Sequence, residues 1–62
     1  MKRRDLLRHL HQHGCRFVRE GGEHSIWENP AINRRASVPR HQEIPDFTVG
    51  RICKQLGIPL PS

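Results

Sequence analysis

The run Glu20-Gly21-Gly22-Glu23 fixes more of this chain than any other stretch. Two adjacent glycines supply the positive backbone angles of a tight hairpin turn, and six-residue runs suited to strands stand on either side. These are Cys15–Glu20 and His24–Asn29. With Gly21 and Gly22 as the central pair, Arg19 is expected opposite His24, Phe17 opposite Ile26 and Arg16 opposite Trp27. Phe17 with Ile26 would then mark the core face. His24 would lie on that same side, at the open end of the hairpin beside an arginine.

The flanks of the hairpin read as helices. From Lys2 to His13, Leu6, Leu7 and Leu10 share one narrow arc, Asp5 sits in the first turn, and Gly14 stands where a C-terminal cap belongs. From Asp46 to Leu56, the residues Val49, Ile52, Cys53 and Leu56 follow the i, i+3, i+4, i+7 pattern. Asp46 is the expected cap, Gly57 the stop, and Gly50 a mid-helix cost of about 1 kcal/mol. Asn29–Asn33 is turn material, Arg35–Val38 a short third strand closed by Pro39, and residues 39–45 a polar connector. Pro59 to Ser62 reads as a loose tail. The order helix, three strands, helix predicts an α+β fold, a three-stranded antiparallel sheet with both helices on one face.

At 62 residues the chain is expected to form one domain over residues 1–62. A domain of this size buries only about 60% of the surface its unfolded chain exposes, so the core must be thin and support from a partner or from self-association is expected. Its apolar candidates are Leu6, Leu7, Leu10, Phe17, Val18, Ile26, Trp27, Val38, Phe47, Val49, Ile52 and Leu56. Cys15 and Cys53 are too few for a disulfide framework and read as small buried residues. No signal-peptide pattern and no apolar run of about 20 residues is present, which points to the cytoplasm and away from a membrane.

Nine arginines and two lysines face six carboxylates, a formal charge of +5. A surplus of that size on a small surface attracts polyanions, nucleic acid foremost, and guanidinium forks suit phosphate. Among the histidines, His9 and His13 have the i, i+4 spacing of zinc pairs, but no third ligand or adjacent acid completes a site, so no metal is expected. His24 has more informative company. An imidazole titrates near neutrality and can take a proton from a ribose 2′-hydroxyl or give one to a leaving 5′-oxygen, while a nearby arginine holds the phosphate. Arg40 and His41 follow a strand in a loop bounded by Pro39 and Pro45, the kind of place where binding groups sit.

Five segments in order, "KRRDLLRHLHQHG", "CRFVRE", "GGEHSIW", "SVPRHQEI" and "TVGRICKQLGI", resemble the HicA family of bacterial toxins from Lys2 to Ile58. The resemblance implies a fold like the double-stranded-RNA-binding domain. It also implies metal-independent, cofactor-free cleavage of messenger RNA, and neutralisation by an antitoxin of the HicB type over the His24 face. The family's histidine follows a glycine by two positions, which maps onto Gly22 and His24, with Glu23 where a small residue is usual. On this reading His24 is the general acid or base, and Arg16, Arg19, Gly22, Arg40 and His41 are RNA contacts. DNA would be met only indirectly, through the antitoxin. A non-catalytic RNA-binding module of the same fold is the alternative.

Overall fold

The computed structural model describes residues 1–61; Ser62, the end of the expected tail, lies outside them. It contains helix α1 (Arg3–Gln12), strands β1 (Arg16–Gly21), β2 (His24–Asn29) and β3 (Arg34–Pro39), and helix α2 (Asp46–Leu56). The strands form one antiparallel sheet in the order β1-β2-β3. This is the helix–three strands–helix order expected of a double-stranded-RNA-binding-domain-like fold.

Both helices end in the same way. Gly14 has φ +83° and Gly57 has φ +65°. After α1 the Gly14 amide donates to His11 O and the Cys15 amide to Leu10 O; after α2 the Gly57 amide donates to Lys54 O and the Ile58 amide to Cys53 O. These paired bonds are those of a Schellman motif, in which a left-handed residue lets the chain satisfy the last helical carbonyls. Asp46 does not cap α2 as expected: it is the first helical residue, the cap position is Pro45, and no side chain bonds the free amides there. Its carboxylate still lies at the positive end of the helix.

One apolar cluster joins α1 (Leu6, Leu10), the sheet (Trp27, Ala36, Val38), the β3–α2 loop (Ile44) and α2 (Val49, Ile52, Cys53, Leu56). Both helices thus cover the same sheet face. Cys15 and Cys53 are buried and unbridged, and burial pushes both thiols up from their ordinary range. Phe47, expected in the core, is 84% exposed, whereas Ile44 is buried in the loop. The apolar stripe of α2 is carried by Val49, Ile52, Cys53 and Leu56, and Phe47 falls off it. Ile44 is held in because the loop is not free: the Arg3 amide donates to Gln42 O and the Ile44 amide to Met1 O, both at 2.8 Å.

The hairpin register differs from the expected one. Gly21 pairs with His24, Glu20 with Ser25 and Arg19 with Ile26; beyond an irregularity at Val18, Phe17 pairs with Trp27 and Arg16 with Glu28. The turn is centred on Gly22 and Glu23. Gly22 has φ +66° while Glu23 does not have positive φ, the sign pattern of a type II′ turn, which needs glycine only at its first central position. Gly21 is therefore free to serve as the last residue of β1. With this register Ser25 and Trp27 turn towards the helices, and His24 and Ile26 lie on the opposite face. Phe17 does not mark the core: it is 50% exposed and meets Trp27 edge-on, with ring centroids 6.2 Å apart.

Buried Asn29 links the sheet to α2, its Nδ2 donating to Leu56 O at 2.8 Å and its Oδ1 accepting from the Ala31 amide at 3.2 Å. The expected loose tail is partly tied down, since His9 Nε2 donates to the Pro59 carbonyl at 2.7 Å.

Two glycines, one inside α2 and one just past its end, give substitutions of opposite sign. A Cβ at Gly50 would make only an ordinary 3.8 Å contact with Leu60, so Gly50→Ala is expected to add roughly 0.5–1 kcal/mol by removing the glycine penalty in a helix. A Cβ at Gly57 would require a left-handed alanine and would lie 2.6 Å from Ile32 Cδ1, so Gly57→Ala is expected to cost about 1–2 kcal/mol. Thermal unfolding should show the midpoint rising for the first and falling for the second, by roughly 4–8 °C per kcal/mol.

Candidate functional site

His24 opens β2 directly after the turn, flanked across the ladder by Gly21 on one side and Pro39 on the other. It is exposed on the sheet face away from the helices. Alternation along antiparallel strands brings Ile26 and, from β3, Arg35 and Ser37 onto this face, and α2 adds Arg51 and Gln55 at its margin. Together they line an open cleft of about 300 Å³. An imidazole, two guanidiniums, a hydroxyl and an amide thus surround one space. That set can bind an anion and exchange a proton with it.

The fold behind His24 is held by a polar chain. Ser25 is 1% exposed. Its Oγ donates to Glu20 Oε1 at 2.8 Å and accepts from Arg3 Nη2 at 2.7 Å, while Arg3 Nε donates to the Pro39 carbonyl at 2.9 Å. Helix α1 therefore fastens the residue after His24 and the residue across from it. The other oxygen of Glu20 lies 3.4 Å from Arg40 Nη1. Every member of the chain is satisfied, the condition under which a polar network rigidifies rather than weakens a core.

The structure sorts the expected site residues unequally. Gly22 makes the turn. Arg19 is not opposite His24, but its guanidinium lies against the side-chain-free Gly21, 3.3 Å from where a Cβ would stand, and Gly21 is the direct partner of His24. Arg16 sits at the far end of the sheet. It pairs with Glu28 rather than Trp27, through Nη2–Oε1 at 2.9 Å. Arg40 lines a different cleft with the start of α1, and His41 is exposed and lines neither space. Arg35, Ser37, Arg51 and Gln55 were not singled out from the sequence. Strand alternation carries a signal for the first two, once Ala36 and Val38 are assigned inward. Arg51 and Gln55 are an i, i+4 pair flanking the apolar stripe of α2.

Arg35 is held in place by Glu28. Its Nε lies 3.2 Å from Oε2 of that carboxylate, whose other oxygen serves Arg16. Hydrogen bonds from Arg16 and then Arg35 keep the Glu28 carboxyl below its ordinary value of 4.5, outweighing burial, which acts the other way. Arg51 has no ion-pair partner among the described residues.

A fold of this order, with a solvent-open histidine and arginines on one sheet face, is a small basic domain with an open cleft fit to hold an anion. The family model for the HicA toxin of bacterial toxin-antitoxin systems matches residues 3–58, and the chain belongs to that family. No curated protein and no solved structure matches it.

The Glu28 pairing yields a pH dependence. A carboxyl whose value is lowered on folding contributes stability that is fully present above about pH 4.5 and is lost as pH falls through its folded-state value. Denaturant midpoints measured from pH 6 down to pH 2.5 should decline for the native protein, and Glu28→Gln should be less stable at pH 6 with a shallower decline on the acid side. Parallel curves for the two proteins would show that Glu28 does not carry the effect.

Proposed function

We propose that this HicA-family toxin is a metal-independent endoribonuclease acting on messenger RNA in the cytoplasm, with His24 as its general acid or base. The observation that carries the reading is the convergence of His24, Arg35 and Arg51 on one open cleft. In the reaction a ribose 2′-oxygen loses its proton and attacks the adjacent phosphorus. The bond from phosphorus to the 5′-oxygen breaks and that oxygen gains a proton, leaving a 2′,3′-cyclic phosphate and a 5′-hydroxyl. His24 takes the first proton or supplies the last. Arg51 and Arg35 face the non-bridging oxygens, where negative charge accumulates, with Arg19 at the strand edge beyond Gly21.

An antitoxin of the HicB type is the proposed partner, covering the sheet face that carries His24. Support comes from the family and from the sheet itself: among the described residues its outer face has no helix over it, and it bears an exposed cationic array, which an acidic protein segment can neutralise. No helix among the described residues is long and apolar enough to cross a membrane.

Purified protein incubated with RNA in excess chelator should generate cyclic-phosphate ends. His24→Ala is expected to slow cleavage roughly 10²–10⁴-fold and Arg51→Gln roughly tenfold or more, with folding unchanged. Native protein that shifts RNA on a gel and never cuts it would establish a binding module instead. Induction of the chain alone should arrest growth, with relief by His24→Ala or by co-expression of its antitoxin. Normal growth with the folded native protein accumulated would refute the toxin activity proposed for His24.

A further inference from the structure

A second cleft, of about 440 Å³, opens between the start of α1 and the β3–α2 loop. Its cations are Lys2, Arg3, Arg4 and Arg40, against the single carboxylate of Glu43. We propose that this cleft binds the phosphates of the RNA strand flanking the one held at His24, so that the toxin grips a stretch of single strand across two sites. The inference rests on the ribonuclease reading for the identity of its ligand, and on the cleft's own charge for its existence.

The cleft is built rather than incidental. Arg3 is half-buried, and its guanidinium donates only to neutral oxygens, Pro39 O and Ser25 Oγ. It has no ion-pair partner among the described residues, and neither has Lys2; Arg4 has only Asp5 at 3.9 Å, a distant and exposed pairing of little energy. A fixed positive charge in a concave wall, its nearest linked carboxylate Glu20 one hydroxyl away and shared with Arg40, attracts an anion more strongly than one on open surface, because field lines are focused there. Arg40 is steadied by Glu20, and Lys2 and Arg4 are free to reach a ligand.

Continuity with the His24 cleft comes from β3. Pro39 is the ladder partner of His24, and Arg40 is the next residue. A ladder spacing of about 5.5 Å and one chain step of about 3.8 Å put the backbone of Arg40 within about 9 Å of that of His24. A strand bound at His24 and passing over the Pro39 edge therefore arrives at the cationic wall. The cleft offers one apolar side chain, Leu7, and no aromatic surface, so it suits backbone phosphates and not bases.

The test uses His24→Ala protein, which keeps RNA intact, and a fluorescein-labelled 12-nucleotide single strand read by anisotropy. Adding Lys2→Glu and Arg4→Glu should raise Kd at least tenfold. Lys2→Gln with Arg4→Gln should lower the slope of log K against log salt by about 1.4, the share of two phosphates on a single strand. Lys54→Glu with Arg34→Glu, the same change of charge on exposed residues outside both clefts, should raise Kd less than threefold. Equal losses in the two charge-reversed pairs would reduce the site to a diffuse field, and unchanged binding would overturn it. So would loss of antitoxin binding with RNA binding intact, which would assign the cleft to protein. Circular dichroism checks the fold, and Arg4→Gln alone, with an expected slope change of about 0.7, serves if the doubles do not fold. Native protein that never cuts RNA while binding depends on Lys2 and Arg4 would refute the ribonuclease reading and leave this site standing.

Discussion

The two-residue turn at Gly22 and Glu23 sets which residue of β1 stands opposite His24, Ser25 and Ile26. A strand has a side-chain period of two, so the residues of β2 alternate between a face covered by the helices and an open one. With Gly22 alone adopting positive φ, Gly21 enters the ladder opposite His24. Ser25 and Trp27 then face the helices, and His24 and Ile26 face outward. The candidate site and the core are thus the two faces of one strand. Arg3 secures it from behind, since its bonds to Ser25 and Pro39 hold both residues that frame His24.

Much of the architecture was legible in the sequence because local signals agreed with the global fold. The bounds of β2 and α2 follow directly from the glycine turn and the apolar stripe, and Gly14 and Gly57 close their helices through backbone angles that glycine adopts freely. Register was less legible. A Gly-Gly pair fits turns centred on either glycine boundary, and the irregularity at Val18 shifts the pairing once more where no sequence signal marks it. The register accounts for the misplacement of His24 beside Arg19, whereas Phe17 stands opposite core-facing Trp27 and is left half-exposed on the edge strand β1. The cleft residues from α2 were illegible for another reason: which flank of a helix lies beside the sheet edge is a tertiary fact, and Arg51 and Gln55 look like any solvated pair.

The arginines divide into two physical groups. Arg16 and Arg35 share Glu28, Arg40 has Glu20, and Arg8 has Asp5, so part of the net charge is spent on local structure. Arg35 keeps donor capacity beyond its bond to Glu28, because a guanidinium carries five N–H groups and one carboxylate oxygen occupies one of them. Arg3, Arg19, Arg34 and Arg51 have no carboxylate partner among the described residues. Arg3, Arg19 and Arg51 border the turn-and-cleft region, whereas Arg34 opens β3 opposite Asn29, at the end of the sheet away from His24.

Glu23 completes this picture from the opposite sign. The turn demands glycine at position 22, but at 23 it demands only negative φ, which any L-residue adopts. The side chain of Glu23 is exposed and enters no hydrogen bond or ion pair with the described residues, so neither backbone geometry nor packing selects an acid there. What it contributes is a negative charge one residue from His24, which lines a cleft whose cations are Arg35 and Arg51. Such a charge opposes an incoming anion and tempers the attraction of the two guanidiniums.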